Sequence, residues 1–257
     1  MEEAIALFGV DLAWRVEQAC FNAWPALNQV HAGDWVARAG NGLTRRNNSA
    51  NPLRTGARLD ETTIDTCESV YGRWALRPTF RVPSFVAAAV DQRLEARGYA
   101  REGETNTLYA PMDALAASND PEAVIWRTAG YNWMKAKAEF SGLSPDDVTT
   151  FRDVAARLSI PTAFIALREG GASASLAYGA VHAGLLCVEA VVTRESLRGR
   201  GLGRRMLSSL FAWARGEGAE AACLQVQADN VSGLALYAAV GFRTNLYNYH
   251  YRRAPSG

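Results

Sequence analysis

The sequence predicts an α/β (α+β) fold, a mixed and mostly antiparallel sheet flanked by helices, and three observations carry that expectation. Strand-like stretches Thr162–Leu167, Ala174–Val181 and Leu185–Thr193 follow one another, separated by Glu169-Gly-Gly-Ala and His182-Ala-Gly, turn chemistry suited to an antiparallel meander. A basic, glycine-rich loop then opens an amphipathic helix, Arg204–Arg215, and Ala221–Gln227 reads as a further strand. Finally, a junction recurs. Leu94-Glu-Ala-Arg-Gly-Tyr99 before Thr107-Leu-Tyr109 echoes Tyr237-Ala-Ala-Val-Gly-Phe242 before Tyr249-His-Tyr251: a helix, a glycine cap, an aromatic residue, then a tyrosine-bearing strand. The echo predicts two related halves in tandem.

From the N-terminus, the pattern predicts a helix over Glu2–Ala23, short strands at Asp34–Ala39 and Gly42–Asn47, and a helix over Asp60–Ala75. A strand at Thr79–Val82 and a helix ending near Arg97 follow. The small, polar segment Asp113–Glu122, which contains a proline, reads as a linker, dividing the chain into 1–112 and 120–257. A helix is expected over Glu122–Glu139. Another should start at Ser144-Pro-Asp-Asp147, where serine precedes proline and acids.

Composition narrows the function. Lys and Arg number 27 against 26 Asp and Glu, so no global field attracts a polyanion, and nucleic acid is not an expected partner. The opening Met-Glu-Glu-Ala-Ile-Ala-Leu-Phe-Gly-Val-Asp lacks the basic start and apolar run of an export signal. Ser175–Thr193, the most apolar stretch, carries His182, Glu189 and two glycines and reads as two buried strands, not a membrane span. A cytoplasmic protein without a membrane partner is expected. Cys20, Cys67, Cys187 and Cys223 form no Cys-x-x-Cys pair and read as small buried residues, so neither a metal nor a disulfide framework is expected.

The informative stretch is Val191-Val-Thr-Arg-Glu-Ser-Leu-Arg-Gly-Arg-Gly-Leu-Gly-Arg-Arg-Met-Leu207. Glycines let backbone approach a phosphate, and the first N–H groups of the following helix point outward with the positive end of its dipole behind them. A nucleoside-triphosphate loop would need Gly-Lys-Ser/Thr, which is missing. A dinucleotide loop would need Gly-x-Gly-x-x-Gly after the first strand of a parallel unit, whereas Gly199-x-Gly201-x-Gly203 follows a meander.

Arg198-x-x-Gly201-x-Gly203 resembles the Arg/Gln-x-x-Gly-x-Gly/Ala signature of the GNAT N-acetyltransferase superfamily, over roughly Pro161–Arg252, with Asp229-Asn230 and the Gly241-Phe242 turn in matching places. The resemblance implies acetyl-CoA as acyl donor and no metal. It implies that Val191, Val192 and Thr193 present backbone to the pantetheine arm, and that Gly199, Arg200, Gly201, Leu202, Gly203 and Arg204 wrap the pyrophosphate beside Arg198. Asn230 matches the residue that bonds the cofactor arm. Tyr237 matches the tyrosine facing the leaving thiolate, the alternative being a core aromatic. Its ordinary pKa near 10 lets it protonate a thiolate of about 8.5.

Glu189, a carboxylate in an apolar strand, is either the general base or a structural group at the cleft rim. His182 and His250 read as solvated. Arg194, Arg198, Arg200, Arg204 and Arg205, interleaved with glycine, suit a small phosphate ligand better than a polymer. The Met206, Leu207, Leu210 and Phe211 stripe has helical spacing and reads as core. In the first half, Gly42-Leu-Thr-Arg-Arg-Asn-Asn-Ser49 follows a strand but lacks phosphate-loop glycines, and Leu94 stands where Tyr237 stands in the second. That half reads as a degenerate, catalytically silent copy. Trp14, Trp24, Trp35, Trp74, Arg45 and Arg46 either shape an acceptor pocket or, for the tryptophans, form core.

The resemblance implies transfer of an acetyl group to a primary amine of a small molecule, peptide or protein. The alternative is a non-catalytic acyl-CoA sensor or scaffold. Acceptor identity and oligomeric state are left open by the sequence.

Overall fold

The structure, a computed structural model, describes residues 10–255. Helix α1 (Val10–Ala23) leads into β1 (Asn28–Ala32), β2 (Trp35–Ala39), β3 (Ala50–Pro52), α2 (Glu61–Arg73), β4 (Thr79–Pro83), α3 (Ala88–Ala96) and β5 (Ala100–Pro111). The second half comprises β6 (Ala123–Trp126), α4 (Tyr131–Ser141), α5 (Pro145–Ala155), β7 (Thr162–Glu169), β8 (Ala172–His182), β9 (Leu185–Thr193), α6 (Leu202–Gly216), β10 (Ala221–Gln227), α7 (Val231–Val240) and β11 (Thr244–Arg253). Among the described residues, no helix is long and apolar enough to cross a membrane.

All strands join one 11-stranded sheet in the order β1-β2-β3-β4-β11-β5-β10-β9-β8-β7-β6. Among the described residues only β3–β4 and β9–β10 run parallel, which makes the sheet mixed and mostly antiparallel as expected. The order also exposes an exchange. The last strand of the first half, β5, pairs with β10 of the second, while β11, last of the second, pairs with β4 of the first. β5 and β11 pair with each other at the centre. Each half therefore contains a parallel strand pair bridged by a helix, then a second helix, then a strand donated to its neighbour.

The repeated junction has one local cause. Tyr99 N–H donates to the Leu94 carbonyl and Phe242 N–H to that of Tyr237, both at 3.0 Å, around Gly98 (φ 80°) and Gly241 (φ 118°). Such left-handed C-caps turn the chain from helix into strand and favour glycine. Elsewhere the Asp60 side chain accepts from Thr63 N–H at 2.8 Å and Ser144 forms a capping box with Asp147, so both helices start where the sequence places them.

Several expected elements differ. Gly42–Asn47 is a turn and a 3₁₀ helix over Arg45–Asn47, and the strand comes later, at β3. The first-half connection equivalent to the one between β9 and α6 is thus residues 53–60, not Gly42–Ser49. The expected helix Glu122–Glu139 begins as strand β6, because Ala123-Val-Ile-Trp126 is β-branched and aromatic and pairs with β7; helix starts only at Tyr131. Of the helix expected over Glu2–Ala23, residues 2–9 lie outside the described residues.

Gly241→Ala would press a methyl group into the Ala114 carbonyl oxygen and force alanine to φ 118°. We expect a loss of about 2–4 kcal/mol, seen as a fall in melting temperature, whereas Gly216→Ala, on an open helical surface, should be neutral or slightly stabilising.

Candidate active site

The site forms where β9 and β10 part. They pair in parallel only from Leu185 to Cys187 and from Ala221 to Cys223, although both strands continue, so beyond the cysteines a wedge opens between them. Alternation along each strand assigns the two faces. Val188, Leu224 and Val226 belong to the core beneath α6 and α7. Cys187 and Cys223 belong to the core beneath α1, and Glu189 and Gln225, two residues further on, share that face.

A bulge shapes the β9 side. Leu176 faces Val192 and Tyr178 faces Glu189, so β9 spends one extra residue and Ala190 takes φ 56°, unusual for a residue with a side chain. Ala190 and Val191 leave the ladder register, and Val191, Val192 and Thr193 become half-buried. Lys137 of α4 holds the bulge, donating from Nζ to the Ala190 carbonyl at 3.3 Å. Burial pulls its ammonium down to about 8, and the charge of Glu189 pushes back up.

On the α6 face lies an open cleft of about 520 Å³. Val191, Val192 and Thr193 line one wall, Arg198, Gly199, Gly201, Leu202, Gly203 and Arg204 the floor, and Asn230 and Tyr237 the other wall. Gly199 and Gly201 have φ of 78° and 75°, and Gly201 caps α6 without a side chain, leaving the first N–H groups of the helix bare. A Cβ on Gly203 would come within 3.2 Å of Leu236 Cδ2, so glycine there lets α6 approach α7. Arg205 turns away to a bidentate pair with Asp120 at 2.8 and 3.1 Å, and Arg200 lies 3.8 Å from Glu169.

The remaining predicted residues divide. Asn230 caps α7, its side chain accepting from Gly233 N–H at 2.9 Å at the cleft edge. Tyr237 is 9% exposed and packs edge-on against Phe242. Burial, then the charge of Glu189, raises its phenol pKa against the opposing pull of Arg46, so it stays protonated. Glu189 does not line the cleft. It lies 4% exposed on the opposite face, held by Arg46 in a bidentate pair at 2.5 and 2.6 Å, and Arg46 also reaches Gln225 Oε1 at 3.4 Å. Burial opposes the Arg46 charge, yet Glu189 raises it above its ordinary value. Arg46 thus spans the mouth of the wedge from the first half of the chain.

Three cysteines that sequence spacing left unrelated, Cys20, Cys187 and Cys223, converge and are buried, with Cys187 Sγ 3.7 Å from Cys20 Sγ. Among the tryptophans, Trp24 packs against Phe151 and Tyr178, donates to Thr44 Oγ1 at 2.8 Å and lies beneath the Arg46 guanidinium. Trp35 is core. His250 is not solvated: buried on β11, it pairs with Asp91 at 2.6 Å.

The family described as probable histone acetyltransferase Rv0428c, C-terminal, matches residues 14–253. The chain belongs to this family, within the GNAT superfamily. An uncharacterised N-acetyltransferase of Bacillus subtilis, YobR, is 25% identical over 243 residues, 93% of this chain and 97% of the relative. Among solved structures, a GCN5-related N-acetyltransferase from Kribbella flavida superposes with a TM-score of 0.70 at 17% identity, covering 97% of both chains. A tandem GNAT protein from the clavulanic acid biosynthesis pathway superposes at 0.61 with 14% identity, over 81% of this chain and 76% of that one. These two likenesses concern the fold. The protein is an acetyltransferase.

Arg46→Met should strand the Glu189 carboxylate without its partner, at a cost of about 3 kcal/mol in denaturant unfolding. Adding Glu189→Leu should recover most of that loss, and a double variant as unstable as the single one would mean that the pair does not hold the halves together.

Proposed function

We propose that the enzyme moves an acetyl group from acetyl-CoA to a primary amine by direct attack. The observation that carries this reading is one cleft in which the bare start of α6, behind Gly199 and Gly201, and the Tyr237 phenol share the same walls. The first supplies N–H groups for a pyrophosphate. The second supplies a proton. In this reading Val191–Thr193 offer backbone to the pantetheine arm as an added strand would, Arg198, Arg200 and Arg204 add positive charge, and Asn230 contributes at the cleft edge.

The bulge frees Val191 from the ladder, which supports its N–H as the donor to the developing oxyanion. The amine nitrogen bonds to the carbonyl carbon, the carbon–sulfur bond breaks, and Tyr237 gives its proton to the departing sulfur. Glu189 takes the proton of the amine through a water. A carboxylate has about four lone-pair sites, and the Arg46 fork takes two of them. The residues 1–112 form, in this reading, a silent copy that shapes the acceptor side, with Leu94 in place of the tyrosine and a single cofactor per chain. A sensor without turnover is disfavoured by the placement of Tyr237 inside the cleft.

Gly201→Glu should abolish most CoA binding in calorimetry of the folded protein, and unchanged binding would remove the loop from the site. Tyr237→Phe should instead keep acetyl-CoA affinity and melting temperature while turnover at saturation falls roughly 10²- to 10⁴-fold. Equal rates in equally stable proteins would take Tyr237 out of the mechanism.

A further inference from the structure

Cys187 and Cys223 are the last register partners before β9 and β10 part, and both belong to the core beneath α1. Cys20 meets them from that helix. The three sulfurs all lie within 4.8 Å of one another, and those of Cys20 and Cys187 are 3.7 Å apart. Metal–thiolate bonds of about 2.3 Å place three sulfurs about 4 Å apart around one ion. One helix and two strands therefore already hold the thiols near the spacing of a coordination shell. Cys67 marks the contrast: among the described residues it is the one sulfur in the core of the first half, a small buried residue packed among apolar side chains.

The donor set narrows the ion. Among the described residues, no histidine nitrogen or carboxylate oxygen joins the three sulfurs within that distance. Glu189 Oε1 comes to 3.6 Å from Cys187 Sγ, but Arg46 takes both oxygens of that carboxylate. Oxygen-seeking Mg²⁺ and Ca²⁺ have nothing to bind here. Thiolates select soft ions, chiefly Cu(I) and Zn²⁺, and structural zinc takes four ligands, whereas the d¹⁰ Cu(I) ion is satisfied by three. Three thiolates around Cu(I) carry two negative charges, costly to bury unless positive groups face them. Two such groups stand beside Cys20. Arg38, 5% exposed, donates to the carbonyls of Phe21 and Trp24, the next residue of the helix and the one a turn further on. Arg81, 1% exposed, lines the same water-sized chamber as Cys20, and its Nε has no partner among the described residues.

We propose that Cys20, Cys187 and Cys223 form a three-coordinate thiolate site for Cu(I) at the apex of the wedge. Loading breaks three S–H bonds and forms three Cu–S bonds; three protons pass to solvent, and no electron moves. Cys20, 5% exposed against 0% for the two strand cysteines, is the outermost ligand. The bound ion ties α1 to both strands where they separate, two residues before Glu189 on β9 and two before Gln225 on β10. The site stands on its own geometry and needs no part of the acetyl-transfer reading.

The test is a titration of the full chain, reduced and free of oxygen, with Cu(I) against the coloured chelator bicinchoninate. Wild type should withhold one Cu(I) per chain from the chelator and gain thiolate-to-copper absorption in the ultraviolet. Cys20→Ala, Cys187→Ala and Cys223→Ala, each checked by thermal melt, should lose more than the roughly 10- to 100-fold in affinity that follows loss of an outer-shell partner. Cys67→Ala should bind as wild type does. Should a strand variant fail to fold, Cys20→Ala and Cys20→Ser, both on the helix, carry the comparison. Wild type that withholds no Cu(I), or four cysteine variants that behave alike, would overturn the site. Zn²⁺ held as tightly as Cu(I), with the same dependence on the three cysteines, would mean that a fourth ligand completes the set and would overturn the three-coordinate assignment. None of these readouts uses thiol release from acetyl-CoA, so failure here leaves the acetyl-transfer reading as it stands.

Discussion

The ion pair between Arg46 and Glu189 is the contact on which the rest of the site depends. Its partners lie 143 residues apart and come from different halves, and Glu189 is almost wholly buried. A carboxylate in that position is tolerable only because a guanidinium fork meets both of its oxygens. The same fork reaches Gln225 on the neighbouring strand. One arginine therefore caps the wedge between β9 and β10 and offsets part of the effect of Glu189 on the Tyr237 phenol, whose pKa is raised most by burial.

The division of labour between the two faces follows from strand alternation. Residues on one face build the glycine-floored cleft; residues one position along point toward α1 and the first half. Because β9 spends an extra residue at its bulge, the backbone at Val191 is free of the ladder where the strands separate. A mutation in the first half can thus alter the cleft without touching any residue that lines it.

Much of the second half was legible in the sequence, since its signals are local. The Arg198–Gly203 loop, the meander and the Gly241 cap each lie within one stretch of chain, and glycine and periodicity announce them directly. Arg46 was visible only as an arginine that shapes an acceptor pocket, because nothing near it in sequence names Glu189. The convergence of Cys20, Cys187 and Cys223 was hidden for the same reason. In the sequence β6 reads as helix because a four-residue apolar run before a true helix has no period of its own, and only pairing with β7 makes it a strand. The first-half loop lies one connection later than the sequence pattern suggests, since β3 is three residues long and too short to show a pattern. The exchange of β5 and β11 leaves no mark on composition, as each strand would look the same in either position.

That exchange bears on how the chain acquires its shape during synthesis. β4 and β5 emerge from the ribosome well before the strand that lies between them, β11, which follows only after the whole stretch from β6 to α7. Until β11 is made, the first half carries two unsatisfied strand edges, the kind of surface that invites pairing with other chains. Completion of the sheet joins residues separated by most of the sequence, an arrangement of high contact order that folds slowly. Loss of Thr244–Arg253 would therefore damage the first half more directly than the glycine-floored cleft of the second.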